Sequence, residues 1–185
     1  PLKFCKMLSA GQDFIIIDMR RETGYETGLL ASVVCNRVSG IGAEAIVTIE
    51  NSNLADFKIS VTGALENATV TQSALRCAAR YVYSQQLVPN NSKQFSIETP
   101  LEQYKVEVVG GGEKIRVNLG VPTFEGHLIP TALHGDQLSK SININGINQL
   151  ISAVGMGEAH CVVFVTGIDY IDIDPLGSRI EKHVY

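Results

Sequence analysis

The sequence predicts an α+β fold: many short, mostly antiparallel strands curled around one buried helix. Three observations carry that expectation. The stretch from Thr69 to Tyr83 places Leu75, Cys77, Ala78, Ala79, Tyr81, Val82 and Tyr83 so that almost no polar face is left, and a helix that is apolar nearly all round belongs inside a core. Short runs of alternating or continuous apolar residues flank it on both sides, as strands do. Gly110-Gly111-Gly112 lies between two of those runs and reads as a hairpin turn.

Phe4 to Met7 reads as a short strand, and Phe14 to Ile17, apolar on both faces, as an interior one. Thr23 and Glu26 make a capping-box pattern ahead of Leu29, Leu30, Val33, Val34 and Val38, which recur at helical spacing. That helix is expected to stop at Ser39-Gly40, where glycine suits the position just past a helix end. The loop from Gly40 to Glu44 feeds a strand from Ala45 to Glu50, and the polar turn Asn51-Ser52-Asn53 precedes another from Phe57 to Thr62. The central helix is expected over about residues 71–86, with Thr69 as its N-cap and Gln72 completing a second capping box. Its first turn then lies among small polar residues, where backbone N–H groups and the positive end of the helix dipole suit a carboxylate or phosphate. After a turn from Pro89 to Ser92, strands are expected at Gln94 to Glu98, Tyr104 to Val109 and Lys114 to Leu119. Thr123 to Gln137 reads as loop. Strands resume at Ser141 to Asn145, Asn148 to Ala153 and Cys161 to Val165, and a short helix begins at Asp174-Pro175, with proline early in it.

Composition narrows the class. With 45% apolar and 18% charged residues, the chain can build a core and is not of disordered composition. A net charge of -4 and the absence of any Lys/Arg run argue against nucleic acid as a partner. No apolar run approaches a membrane span and no signal-peptide pattern opens the sequence, so no membrane association is expected. Cys5, Cys35, Cys77 and Cys161 all fall in apolar elements outside any C-x-x-C pair, and are expected as buried free thiols of a cytoplasmic protein. The four histidines have no ligand spacing, so no metal is expected.

Residues 1–119 supply strands, a covering helix and a central helix, whereas residues 120–185 supply strands and one short helix. The later part therefore reads as an incomplete domain. A short internal echo links the two. Gly11-Gln12-Asp13-Phe14 leads into Ile15-Ile16-Ile17, and Gly157-Glu158-Ala159-His160 leads into Cys161-Val162-Val163, each with a methionine just upstream. Matched strand-entry loops in two structural repeats would lie symmetrically across one cleft.

Several segments resemble the diaminopimelate epimerase family, in the family's order. Phe4-Cys5-Lys6-Met7 through Gly11-Gln12-Asp13-Phe14 to Asp18 resembles F-x-K-M-x-G-x-G-N-D-F-x-x-x-D. Gly40-Ile41-Gly42-Ala43-Glu44 resembles G-I-G-A-D, and Ala74-Leu75-Arg76-Cys77-Ala78-Ala79-Arg80-Tyr81-Val82 resembles G-A-R-C-F-A-R-Y-V. Val117 to Pro122 resembles V-x-M-G-x-P, Gly155-Met156-Gly157-Glu158-Ala159-His160-Cys161-Val162 resembles S-M-G-N-P-H-C-V, and Leu176-Gly177 to His183 resembles L-G-x-x-I-E-x-H. The resemblance implies a strongly curved mixed sheet or barrel around a central helix, here as one full lobe and an incomplete second. It also implies an isomerase of the cofactor-independent amino-acid racemase and epimerase class, belonging to a lysine and cell-wall precursor route. In that family two cysteines flank the substrate α-carbon; one thiolate removes the proton and the other thiol delivers one to the opposite face. Thiols suit the work because their pKa lies near working pH and is readily tuned.

Where the resemblance places that chemistry, this sequence differs. Thr71 stands at the position of the first catalytic cysteine, and a threonine hydroxyl is far too weak an acid to supply a base without an activating partner. Gln72 and Ser73 replace the following Gly and Asn, Gln12 and Glu158 replace two substrate-binding asparagines, and Thr62-Gly63-Ala64-Leu65 replaces the N-A-D-G substrate loop. His160 is kept. Cys77 and Cys161 match core cysteines of the family, not catalytic ones, and the second catalytic cysteine falls past Tyr185. The substrate-binding candidates carried over are thus Gln12, Thr62, Gln72, Ser73, Glu158 and His160, with Thr71 in the catalytic position. Two functions follow as expectations. One is an epimerase inactive as this chain alone; the other is a non-catalytic ligand-binding or assembly subunit with a degenerate site. Both take a small amino-acid-like ligand, need no cofactor, and leave apolar strands to be covered in a homodimer or by a partner chain that supplies a helix.

Overall fold

The computed structural model describes residues 2–22, 24–63, 70–132 and 134–184. These fall into two compact units, Pro1–Asn118 and Leu119–Tyr185. In the first, seven strands form one sheet in chain order: β1 (Cys5–Ser9), β2 (Gln12–Asp18), β3 (Ala45–Glu50), β4 (Phe57–Gly63), β5 (Gln94–Glu98), β6 (Gln103–Val109) and β7 (Lys114–Asn118). The β2–β3 and β4–β5 pairs are parallel and the rest antiparallel. A parallel pair needs a crossover, and the two helices supply them: α1 (Thr27–Val34) between β2 and β3, α2 (Gln72–Ser84) between β4 and β5.

Curling the sheet around α2 makes the main core. Phe14, Ile16, Val47, Ile59, Phe95 and Val106 from the strands pack with Leu75, Ala78 and Val82 of the helix. Small residues at Ala74, Ala78 and Ala79 let the strands close on it. On the other face, Ile15, Ile17 and Ile46 meet Ala31 of α1. β2 is therefore buried on both sides, as its unbroken apolar run requires.

The fold class agrees with the sequence reading; several details differ. The α1 helix ends at Val34, and Val38 is 97% exposed in the turn that follows. The helix stops early because only Ala31 is fully buried on it, so Val33 and Val38 have no core to face. Glu26 precedes the helix without a side-chain cap, and Thr23 of the expected capping box lies outside the described residues. The N-cap of α2 is Thr71, whose Oγ1 accepts from the Ala74 N–H at 3.2 Å; Thr69 lies outside the described residues. Cys35 and Cys77 are buried, whereas Cys5 is half-buried on the edge strand β1 and Cys161 is exposed. Burial pushes the Cys77 thiol up to about 11.

Arg20 clamps Asp18 through Nε and Nη2, both at 2.8 Å, at the end of β2. That guanidinium holds the Asp18 carboxyl below its ordinary range. A depressed carboxylate contributes stability that is present above its unfolded pKa and fades as pH falls through the folded one. Asp18→Asn is therefore expected to lower the melting temperature near neutral pH and to converge with the parent chain in acid. A series of thermal melts by circular dichroism from neutral to acid pH reads this out.

The second unit holds a three-stranded antiparallel sheet, ordered β10 (Glu158–Val162), β9 (Ile147–Met156), β8 (Lys140–Ile144), followed by α3 (Ile173–Glu181). Ile142, Ile144 and Ala153 are buried on one face, where Ile180 and His183 of the α3 end border a cavity of about 190 Å³. By register the opposite face carries Leu150, Val154, Met156, Val162 and Glu158, together with His160, which also borders the cavity. Leu150 is 60% exposed there. The β10 strand starts earlier than its apolar run because Gly157, at φ 76°, turns the chain directly from β9. Phe164 and Val165 lie beyond it, Phe164 85% exposed. Among the described residues no helix is long and apolar enough to cross a membrane, which says nothing of strands that cross as a barrel.

Candidate functional site

The starts of β2 and β3 and the end of β4 meet at one rim of the first sheet, since Phe14 pairs with Ala45 and Ala45 with Gly63. Gln12 opens β2 at this rim, and Thr62 sits one residue in from it, opposite Ile46. Thr71, Gln72 and Ser73 open α2. The Thr71 hydroxyl donates to the Gln12 Oε1 at 3.3 Å, and the Gln12 Nε2 donates to the Glu44 Oε2 at 3.0 Å. Structure thus joins two of the residues singled out in sequence, Gln12 and Thr71, and places Gln72 and Ser73 beside them. Ser73 is buried and its Oγ accepts from Arg76 Nη2 at 3.3 Å, while Arg76 Nε donates to Ser9 Oγ at 3.2 Å. Glu158 and His160 belong to the second unit. They lie two apart on β10, paired with Met156 and Val154.

The electrostatics around Gln12 are set by the next residue of the same strand. Asp13 takes both Arg37 nitrogens, at 3.0 and 2.6 Å, and Lys6 Nζ at 3.2 Å. The Arg37 guanidinium, aided by Lys6, holds its carboxyl well below the usual carboxylate range. Its backbone carbonyl accepts from the Glu44 N–H at 2.9 Å, which fixes the acid that holds Gln12. Sequence reasoning missed Glu44, Arg76 and Ser9. Glu44 had a signal, as the acid closing the Gly40 to Glu44 loop; Ser9 had none.

Chemically this half-site is a hydroxyl with both of its roles occupied. Thr71 Oγ1 accepts from a first-turn N–H of α2 and gives its proton to Gln12. Among the described residues neither partner of Thr71, the Gln12 amide or the Ala74 N–H, is a base. Cys77, six residues further on, is buried with its thiol pushed up to about 11, opposite to the shift an acid–base thiol needs. Among the described residues no group of three His, Cys, Asp or Glu could hold a metal ion.

The crystal structure of a Bacillus anthracis phenazine biosynthesis protein of the PhzF family superposes with a TM-score of 0.59 at 15% identity, covering 91% of this chain and 56% of that one. At that identity the likeness defines the class by fold: helix-centred, curled α+β lobes. A family model described as diaminopimelate epimerase matches residues 4–125. The diaminopimelate epimerase of Carboxydothermus hydrogenoformans is 32% identical over 186 residues, covering 98% of this chain and 67% of the relative. That of Desulfitobacterium hafniense is 27% identical, covering 98% and 66%. The chain belongs to the diaminopimelate epimerase family, and spans about two-thirds of the length of the curated relatives it matches.

Proposed function

We propose that these residues form an epimerase-family binding half-site that does not run proton exchange by itself, and that they bind a small amino-acid-like ligand without a cofactor. One observation carries this. At the position where the resemblance places a catalytic thiol, Thr71 is locked between the Ala74 N–H and Gln12, and Gln12 is held by Glu44. A hydroxyl so bound has no partner to take its proton, and proton transfer at a carbon acid needs a group of suitable acidity within reach. Gln72 and Thr62 complete the candidate set of the first unit, with Ser73 buried and bonded to Arg76; Glu158 and His160 are separate candidates on the second. Deuterium wash-in at the α-carbon of meso-diaminopimelate tests the reading: no exchange above buffer supports it, and exchange by the purified chain overturns it.

A second reading, an isomerase completed by another segment, is favoured by the other face of the second sheet, where Leu150 is exposed and Val154, Met156 and Val162 are half-buried. In the first unit the face carrying Phe14 and Ile16 is covered by α2. The echo of that strand in the second unit, His160 and Val162, shares its face with Leu150, Val154 and Met156, and among the described residues no helix packs there. We propose that a second copy or a partner chain covers it. Sedimentation or light scattering is expected to show self-association of the purified chain or co-elution with such a partner; a monomer that binds no hydrophobic dye counts against it. The family's place in lysine precursor synthesis and the free state of all four thiols support a cytoplasmic setting for either reading.

A further inference from the structure

The two hairpins that echo each other in sequence share one feature, though the first turns through two residues between Ser9 and Gln12 and the second through Gly157 alone. A glycine at positive φ, Gly11 at 84° and Gly157 at 76°, turns each chain into a strand whose first residue is long and polar, Gln12 in one case and Glu158 in the other. The two differ in what satisfies them. The Gln12 amide both accepts and donates, to Thr71 and Glu44. Glu158 is half-buried, and its Oε1 is enclosed without a hydrogen-bond partner among the described residues. Nor does any ion pair of the described residues include it.

An ionised carboxylate is acceptor-only, so whatever satisfies this oxygen must bring N–H or O–H. Enclosed polar atoms are nearly always paired, and an exception in a folded protein asks for a water, ion or ligand. The surroundings favour an organic donor over a bare cation. Glu158 shares its face with the apolar Val154, Met156 and Val162 and with one imidazole, His160, and no further acids gather there to coordinate a metal.

We infer that Glu158 is a specificity-determining residue that receives the ammonium group of a ligand carrying a short apolar chain. This deepens the proposed binding function and rests on it: where the resemblance places a neutral asparagine, this chain has an anion, so the ligand end bound here is cationic. A charge-assisted hydrogen bond is roughly twice as strong as a neutral one, and loss of such a bond lowers affinity by about tenfold or more.

The probes are 1,5-diaminopentane and glutarate, of similar length and opposite charge, titrated into the full chain by NMR. The diamine is expected to bind at least about tenfold more tightly than glutarate, with the perturbed signals including Glu158 and His160, and Glu158→Gln is expected to remove about tenfold of its affinity. Equal or tighter binding of glutarate overturns the inference. So does unchanged diamine affinity in Glu158→Gln, or the absence of saturable diamine binding in the millimolar range. The wild-type comparison needs no variant, so a folding defect in Glu158→Gln leaves the test intact. Deuterium exchange is scored separately: exchange together with diamine preference sinks the non-catalytic reading while this assignment stands.

Discussion

Phe57→Ala is expected to cost about 3–5 kcal/mol, in the range of large aromatic truncations in a packed core. Phe57 is 2% exposed at the start of β4. Its ring meets Phe95 edge-on at 6.0 Å between centroids, and the Arg20 guanidinium lies 5.3 Å from its centroid. Truncation removes the buried area, the aromatic pair and the surface that keeps Arg20 over Asp18. Domains of this kind keep only about 5–15 kcal/mol in hand, so the variant sits near the limit of folding. The chain has no Trp, so urea melts are followed by circular dichroism. Phe164→Ala is the matched control: with the side chain 85% exposed, a change within about 0.5 kcal/mol is expected. A Phe57→Ala loss below about 1 kcal/mol is far outside that range and means the ring does not hold the two elements together.

Thr71→Cys is expected to leave inversion of meso-diaminopimelate at the buffer rate. The introduced thiol stands at the α2 N-terminus and accepts from the Ala74 N–H, an environment that lowers a thiol's pKa. One such group takes a proton from one face and returns it to the same face. Inversion needs a second acid on the opposite face, and the Cys77 thiol is buried and raised, while desolvation raises the Cys161 thiol as well. Enzymes commonly accelerate reactions by a millionfold or more (about 10⁶ and upward), so success and failure are well separated. Chiral chromatography of the product after long incubation decides it, and an inverting Thr71→Cys chain shows that the opposed acid is already present.

How far the sequence could be read follows from what each signal depends on. The strands β3 and β5 were legible to the residue because the strands' burial depends on local pattern alone. The α1 end was not, because helical spacing at Val33 and Val38 carries no information on whether a core lies opposite. Cys161 was misread for a similar reason: an edge strand of a three-stranded sheet does not bury its thiol merely by being apolar. The half-site splits the same way. Thr71 and Gln12 were reached through the motifs that contain them. Glu44 and Ser9 were not, because they act on partners 32 and 67 residues away, and pairing over such separations is set by topology.

The order of strands in the first sheet has a consequence for how the chain assembles. Each strand lies beside its predecessor in synthesis, so every closure is between neighbours, and hairpins close cheaply. The two parallel joins are the slow ones, and the longer runs through α2. The first unit can therefore grow from its amino end as a half-made sheet, with β4 to β5 waiting on the helix that fills it.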